Sequence, residues 1–168
     1  MIKILVSACL LGNKVRYNAC EVKYNNNILQ TWLSEGRVVS FCPEVAGGFP
    51  VPRPPAEIQE GDGYLVLQGT ARVIQIGGKD VTVGFLDGAK KALETALEHG
   101  VKLAIMKEKS PSCGSTTIHD GTFSSNLRPG QGVATALLEQ NGIRVFSEEN
   151  IEVAAIYLKE LEGYLPKP

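Results

Sequence analysis

No apolar run in this 168-residue chain approaches the ~20 residues that span a bilayer. The opening Met1-Ile2-Lys3-Ile4-Leu5-Val6 lacks a secretory cleavage pattern and reads as the start of the fold, so a cytoplasmic protein without membrane association is expected. Charge of one sign is also missing: 17 Lys and Arg face 18 Asp and Glu, for a net charge of -1. That balance gives no support for broad nucleic-acid or membrane-surface binding and leaves room only for a local basic pocket. Among four cysteines there is no Cys-x-x-Cys pair, which removes both the tight knuckle of structural zinc and the usual thiol-disulfide motif. The two histidines, His99 and His119, show no triad spacing and read as a helix end and a turn residue. A reducing cytosol disfavours structural disulfides, leaving the thiols as metal ligands, catalysts or small buried hydrophobes.

The chain does have the length for one domain, read as residues 1–168, because a chain of this size buries roughly 70% of its extended surface. Three short runs read as buried strands: Ile2-Lys3-Ile4-Leu5-Val6-Ser7, Arg37-Val38-Val39-Ser40-Phe41 and Lys102-Leu103-Ala104-Ile105-Met106. Just past each comes a turn signal and a cysteine: Cys9, Cys42 and Cys113. If the strands are parallel neighbours, three thiols meet at one sheet edge, where ligands bind in open α/β folds.

Between the strands, residues 12–27 are polar and turn-rich, and Asn25-Asn26-Asn27 can cap a short helix carrying Ile28, Leu29, Trp32 and Leu33. Residues 43–55 hold five prolines with Gly47 and Gly48, so an irregular wall is expected there. Residues 71–76 suggest a strand. Residues 83–99 repeat apolar positions at helical spacing, with Asp80 or Thr82 as cap and Gly100 as stop. Residues 107–132 read as loop, 133–140 as helix, 143–146 as a fourth strand, and a last helix follows a cap from Glu149 or Asn150. Strands alternating with helices predict a single three-layer, Rossmann-like α/β domain, its mainly parallel sheet covered by helices on both faces.

Three converging thiols suit more than one chemistry. Structural zinc wants four ligands, whereas three thiolates on a 4Fe-4S cluster leave one iron open. Spacing alone does not choose between these and plain burial. The wording of the chain adds more. Ser7-Ala8-Cys9-Leu10-Leu11-Gly12 with Val15-Arg16-Tyr17, Cys42-Pro43-Glu44-Val45-Ala46-Gly47-Gly48, Pro52-Arg53-Pro54-Pro55-Ala56-Glu57 and Lys107-Glu108-Lys109-Ser110-Pro111-Ser112-Cys113-Gly114 together resemble a small bacterial family whose characterised members are thiouracil desulfidases. The resemblance extends through Asp120-Gly121-Thr122-Phe123 and Phe146-Ser147-Glu148-Glu149. It departs at Asn18-Ala19, where members often carry Asp-Gly.

The resemblance implies a cluster held by Cys9, Cys42 and Cys113, an open iron that takes the sulfur of a thiolated pyrimidine base or nucleotide, and catalytic roles for Glu44 and Ser110. Glu44 would then serve as base toward water, and Ser110 as proton relay or oxyanion donor. Taken by themselves, Ser110 reads as a turn opener and Glu44 as a loop charge. Cys20 falls outside the matched blocks and is expected to be a non-ligand. Arg16, Arg53, Lys107 and Lys109, with backbone donors around Gly114-Ser115-Thr116, are candidates to grip a phosphate. The alternative function is a non-catalytic iron-sulfur or zinc module that senses or carries sulfur.

Overall fold

The computed structural model describes residues 1–20 and 24–163. Residues 21–23 of the expected polar loop and 164–168 of the expected domain lie outside the described residues. In chain order the elements are β1 (Ile4–Ser7), α1 (Asn27–Ser34), β2 (Val38–Phe41), α2 (Pro43–Ala46), β3 (Ala56–Gln59), α3 (Gly63–Leu67) and β4 (Arg72–Gln75). Then follow α4 (Thr82–Glu98), β5 (Leu103–Met106), β6 (Thr117–His119), β7 (Leu127–Pro129), α5 (Val133–Gln140), β8 (Arg144–Ser147) and α6 (Ile151–Gly163). Single 3-10 turns at Ala8–Leu11 and Glu148–Asn150 extend β1 and β8.

The main sheet has the order β2-β1-β5-β8, and every pairing in it is parallel. Its strands are continuous apolar runs because both faces are covered. Ile4, Val6, Leu103 and Ile105 point to one side and pack on Leu29 and Trp32 of α1 and Ile151, Ala154 and Leu158 of α6. Leu5, Ala104, Met106 and Val145 point to the other and pack on Phe85, Ala89, Ala92 and Ala96 of α4 and Val133, Ala134 and Leu138 of α5. This is the expected three-layer α/β arrangement.

Capping follows the sequence in one place and departs from it in two. Asn26 accepts from the N–H of Ile28 (2.8 Å) and Leu29 (3.4 Å), as an N-cap side chain should. Thr82 is instead the first residue of α4; Asp80 takes its N–H and hydroxyl, and its Oγ1 accepts from Val73 N–H at 3.0 Å, tying the helix start to β4. Before α6 it is Ser147 that accepts from Glu149 N–H (3.1 Å), while Glu149 and Asn150 form the 3-10 turn.

Two expectations of irregular chain are corrected, and one strand was not foreseen. Pro43 opens the single-turn helix α2, its fixed φ being suited to a first helical position. The 107–132 stretch contains β6 and β7, an antiparallel pair, and β3 pairs antiparallel with β4 ahead of the expected 71–76 strand. These short elements mix polar and apolar residues and lack the continuous apolar run that marks the main-sheet strands.

Two close approaches set the loops over the sheet edge. A Cβ on Gly88 of α4 would lie 2.0 Å from the Pro43 carbonyl oxygen, and one on Gly132 would lie 2.4 Å from the Ser112 carbonyl carbon. Only glycine lets α4 meet the Cys42 turn, and the start of α5 meet the Cys113 loop, at these distances.

Candidate active site

Strand β1 lies between β2 and β5, so the direction of winding reverses at β1 and the loops leaving these strands part to either side. A cavity of about 320 Å³ opens there, lined by Cys9, Cys42, Cys113, Glu44, Ser110 and Ser112 among others. All five residues singled out by the sequence therefore face one space. Cys20 does not line it; this thiol is exposed, and its N–H is taken by the Asn18 side chain at 3.0 Å. Asn18 thus shapes the turn at the departure from Asp-Gly, and Ala19 adopts the left-handed φ of 58° that glycine tolerates more readily.

All four cysteines are free. Burial pushes the Cys9 thiol up to about 11; the Cys42 charge adds to this, and Arg16 and Lys107 oppose it. Cys113 is pushed up to about 12 by burial, against hydrogen bonds from Ser112 and Ser7 and together with the charges of Cys42 and Cys9. Burial raises Cys42 too, with Val45 N–H opposing it and Glu44 adding to it. The three thiols sense one another, so adding negative charge to all three is costly unless a cation arrives with it. They surround the cavity rather than converge on a point: no group of three or more His, Cys, Asp or Glu among the described residues is arranged to hold a single metal ion. Soft, free sulfur donors spread around a cavity fit a thiolate-held iron-sulfur cluster.

Glu44, in the first turn of α2, is held at both oxygens. Arg53 Nε donates to Oε1 at 3.2 Å, and Ser112 Oγ donates to Oε2 at 3.2 Å. Ser112 Oγ lies 3.0 Å from Ser110 Oγ and 3.4 Å from Cys113 Sγ. Ser110 Oγ also accepts from the N–H of Ser112 and of Cys113, each at 3.2 Å. Ser110 is therefore both the turn opener and one end of a hydroxyl chain that runs through Ser112 to Glu44. With its lone pairs so used, its hydroxyl hydrogen goes to Ser112.

The phosphate grip expected from the basic residues is largely taken up within the protein. Arg53 spends its other donors on the carbonyls of Pro50 (3.1 Å) and Val15 (2.9 Å). Lys107 pairs with Glu148 at 3.0 Å. The backbone donors of Ser115 and Thr116 go to Glu108, which is 2 % exposed and accepts from the N–H of Ser115, Thr116 and Thr117 and from two hydroxyls. Burial alone would raise the Glu108 carboxyl, but those donors, Thr116 and Thr117 foremost, hold it below its ordinary value. Arg16 and Lys109 line the cavity without an ion pair among the described residues.

His99 is a helix-end residue as expected, its Nδ1 2.9 Å from the Thr95 carbonyl. His119 differs from expectation: it ends β6 and lines the cavity. Ser112 and Glu57 also went unmarked as parts of the working site, and Arg53 was marked only as a phosphate candidate. Each lies inside a quoted block, and each is a polar residue under 9% exposed. Burial of such residues is invisible in sequence until a partner from a distant segment is known.

The profile of the 2-thiouracil desulfurase family matches residues 4–150. An uncharacterized Bacillus subtilis (strain 168) protein, YbbK, is 45% identical over 148 residues, covering 88% of this chain and 97% of that protein. The solved structure of the [4Fe-4S]-dependent thiouracil desulfidase TudS superposes with a TM-score of 0.87 at 45% identity, over 95% of this chain and 99% of that one. The chain that builds this cavity belongs to the 2-thiouracil desulfurase family.

Proposed function

We propose that the chain is an iron-sulfur-dependent desulfidase, one domain over residues 1–168, that removes sulfur from thiouracil-type bases or nucleotides and yields the uracil-type product and sulfide. What supports this above all is the ring of free thiols from three strand ends around a cavity that also holds Glu44 and the serine pair. In this reading Cys9, Cys42 and Cys113 hold a 4Fe-4S cluster and leave one iron open. The cluster, when bound, supplies a soft Lewis-acid position for a thiocarbonyl sulfur.

The reaction is a hydrolysis and balances without an electron donor: the water oxygen bonds to the ring carbon, the carbon-sulfur bond breaks, and the protons of water leave with sulfide. Glu44 takes a proton from that water, kept in place by Arg53 on one oxygen and Ser112 on the other. General-base help of this kind is worth ~10²–10⁴-fold. Ser110 and Ser112 form a hydroxyl chain that ends on the second Glu44 oxygen and steadies the carboxylate for that transfer. For a nucleotide substrate, Arg16 and Lys109 are the cations left to meet the phosphate. Among the described residues no helix is long and apolar enough to cross a membrane, and three free thiols suit the reducing cytoplasm.

Protein prepared without oxygen should be brown, contain iron and sulfide, and release sulfide from 2-thiouracil or 4-thiouracil. Colourless protein that stays inactive after cluster reconstitution, or stoichiometric zinc bound through Cys20, overturns the proposal.

A further inference from the structure

Glu57 on β3 has no role in the chemistry above, yet it lines the same cavity and is 8% exposed. Its Oε1 is fully occupied, accepting from Gly121 N–H (2.9 Å) and Phe123 N–H (3.2 Å). Its Oε2 accepts from no donor among the described residues. A carboxylate so enclosed, with one oxygen anchored and the other presented to a cavity, is a fixed hydrogen-bond acceptor awaiting a donor.

The surroundings state which donor. Phe41, Tyr17, Pro55 and Phe123 give the cavity flat and apolar wall sections among its polar residues. That is how proteins recognise a heterocyclic base: stacking against the ring and hydrogen bonds to its edge. Phe123 holds a positive φ of 55°, an uncommon setting for a bulky residue, and the bond from its N–H to Glu57 fixes it there. Glu57 thus positions an aromatic side chain and offers an acceptor beside it.

We propose that Glu57 is a specificity residue that accepts the N3–H of the ring, so that the site reads a thiolated pyrimidine in its uracil-type form and rejects rings whose N3 is bare. This rests on the desulfidase reading. Every thiouracil carries N3–H, whereas N3 of 2-thiocytosine presents a lone pair toward which the carboxylate is repulsive; both free bases share N1–H beside the C2 thiocarbonyl, and a 1-methyl group removes it as a substitute donor. A site built to bond an N–H rejects the analogue lacking it by far more than an apolar pocket can, up to ~10⁴-fold.

The experiment is sulfide release from 1-methyl-2-thiouracil and from 1-methyl-2-thiocytosine, in which N1 carries no hydrogen, by wild type and Glu57→Gln, each normalised to iron content. Glutamine keeps the anchoring Oε1 and replaces Oε2 by a donor. Wild type should favour 1-methyl-2-thiouracil by at least ~100-fold in kcat/KM, and E57Q should shift that ratio at least ~10-fold toward 1-methyl-2-thiocytosine, through KM. An unmoved ratio in an E57Q protein that keeps its cluster overturns the inference, since a merely structural role lowers both substrates alike. Should E57Q fail to fold, competition on wild type decides: 1-methyluracil must inhibit at least ~10-fold more tightly than 1-methylcytosine, and equal inhibition overturns the inference. Wild type that holds its cluster yet releases no sulfide from any thiopyrimidine sinks the desulfidase reading and this inference with it. Activity with an unmoved ratio sinks Glu57 alone.

Discussion

Cys9, Cys42 and Cys113 reach the cavity from loops rooted in a parallel sheet with both faces buried, whereas Glu57 and His119 reach it from two-stranded ribbons only three or four residues long. The first region is fixed by packing: β1 and β5 are fully buried along their length, and glycines seat α4 and α5 against the cysteine loops. The second is fixed by carboxylates that collect backbone N–H groups, Glu57 from the 121–123 segment and Glu108 from residues 115–117. In the proposed enzyme the packed region holds the reactive set, and the hydrogen-bonded region holds the walls that select the ring. Loop chemistry on a rigid base and selectivity on smaller attached elements is an economical division, because each can vary without unfolding the other.

The hardest test of that division acts on the sheet side. Replacing Cys9, Cys42 or Cys113 by serine should abolish both bound iron and sulfide release, while Cys20→Ser should keep both within about twofold of wild type, as befits an exposed thiol outside the cavity. Iron content and sulfide yield read together are the measurement, and an active Cys42→Ser protein breaks the assignment. Next in size, Glu44→Gln should lower kcat ~10²–10⁴-fold with iron content unchanged. Ser112→Ala, which cuts the chain between Glu44 and Ser110, should cost less, ~10-fold in kcat. If Ser112→Ala proves the worse of the two, Glu44 is not the base.

How much of this was legible beforehand follows the same boundary. The main strands, α4, α5 and the three thiols could be read because apolar periodicity and β-branched runs report burial on a sheet directly. The strands β3, β6 and β7 could not, since they mix polar and apolar residues without an apolar run and their pairing partners decide their structure. Glu44 and Ser110 were visible through resemblance, but Ser112, the hydroxyl between them, required the 68-residue jump from Cys113's loop to the Cys42 turn to be closed in space. The phosphate nest read into Ser115 and Thr116 was a true nest with an internal occupant. No local pattern says that Glu108, seven residues upstream of Ser115, turns back to fill it.

A smaller effect separates packing from charge in the cluster-free protein. The unfolded chain gives up its thiol protons near the ordinary value of 9.0, while the fold holds those of Cys9 to about 11 and of Cys113 to about 12. Above pH 9 the unfolded state therefore binds fewer protons than the native one, and stability falls as pH rises toward 11; below 9 the contribution is fully present. Thermal unfolding of cluster-free protein should show Tm dropping between pH 8 and pH 10 more steeply in wild type than in Cys113→Ser, which shares every lysine and tyrosine titration. Parallel slopes would show that the buried thiols carry no such linkage.

The smallest expected change lies at Ala19, in the turn that follows the cavity-lining Arg16 and Tyr17. An L-residue in the left-handed region costs roughly 1–2 kcal/mol, and glycine relieves that at an unfolded-state entropy cost of about 0.5–1 kcal/mol. Ala19, at φ 58°, should therefore gain about 0.5 kcal/mol on substitution to glycine, or roughly 1–2 °C in Tm for a chain of this size. Asn18 already supplies the turn-forming acceptor to Cys20 N–H, so the gain needs no accompanying aspartate. Ala19→Gly with unchanged sulfide release and a raised Tm places this departure from the family pattern in the hydrogen-bonded scaffold. A fall in Tm, or a change in KM, places it instead among the groups that meet the substrate.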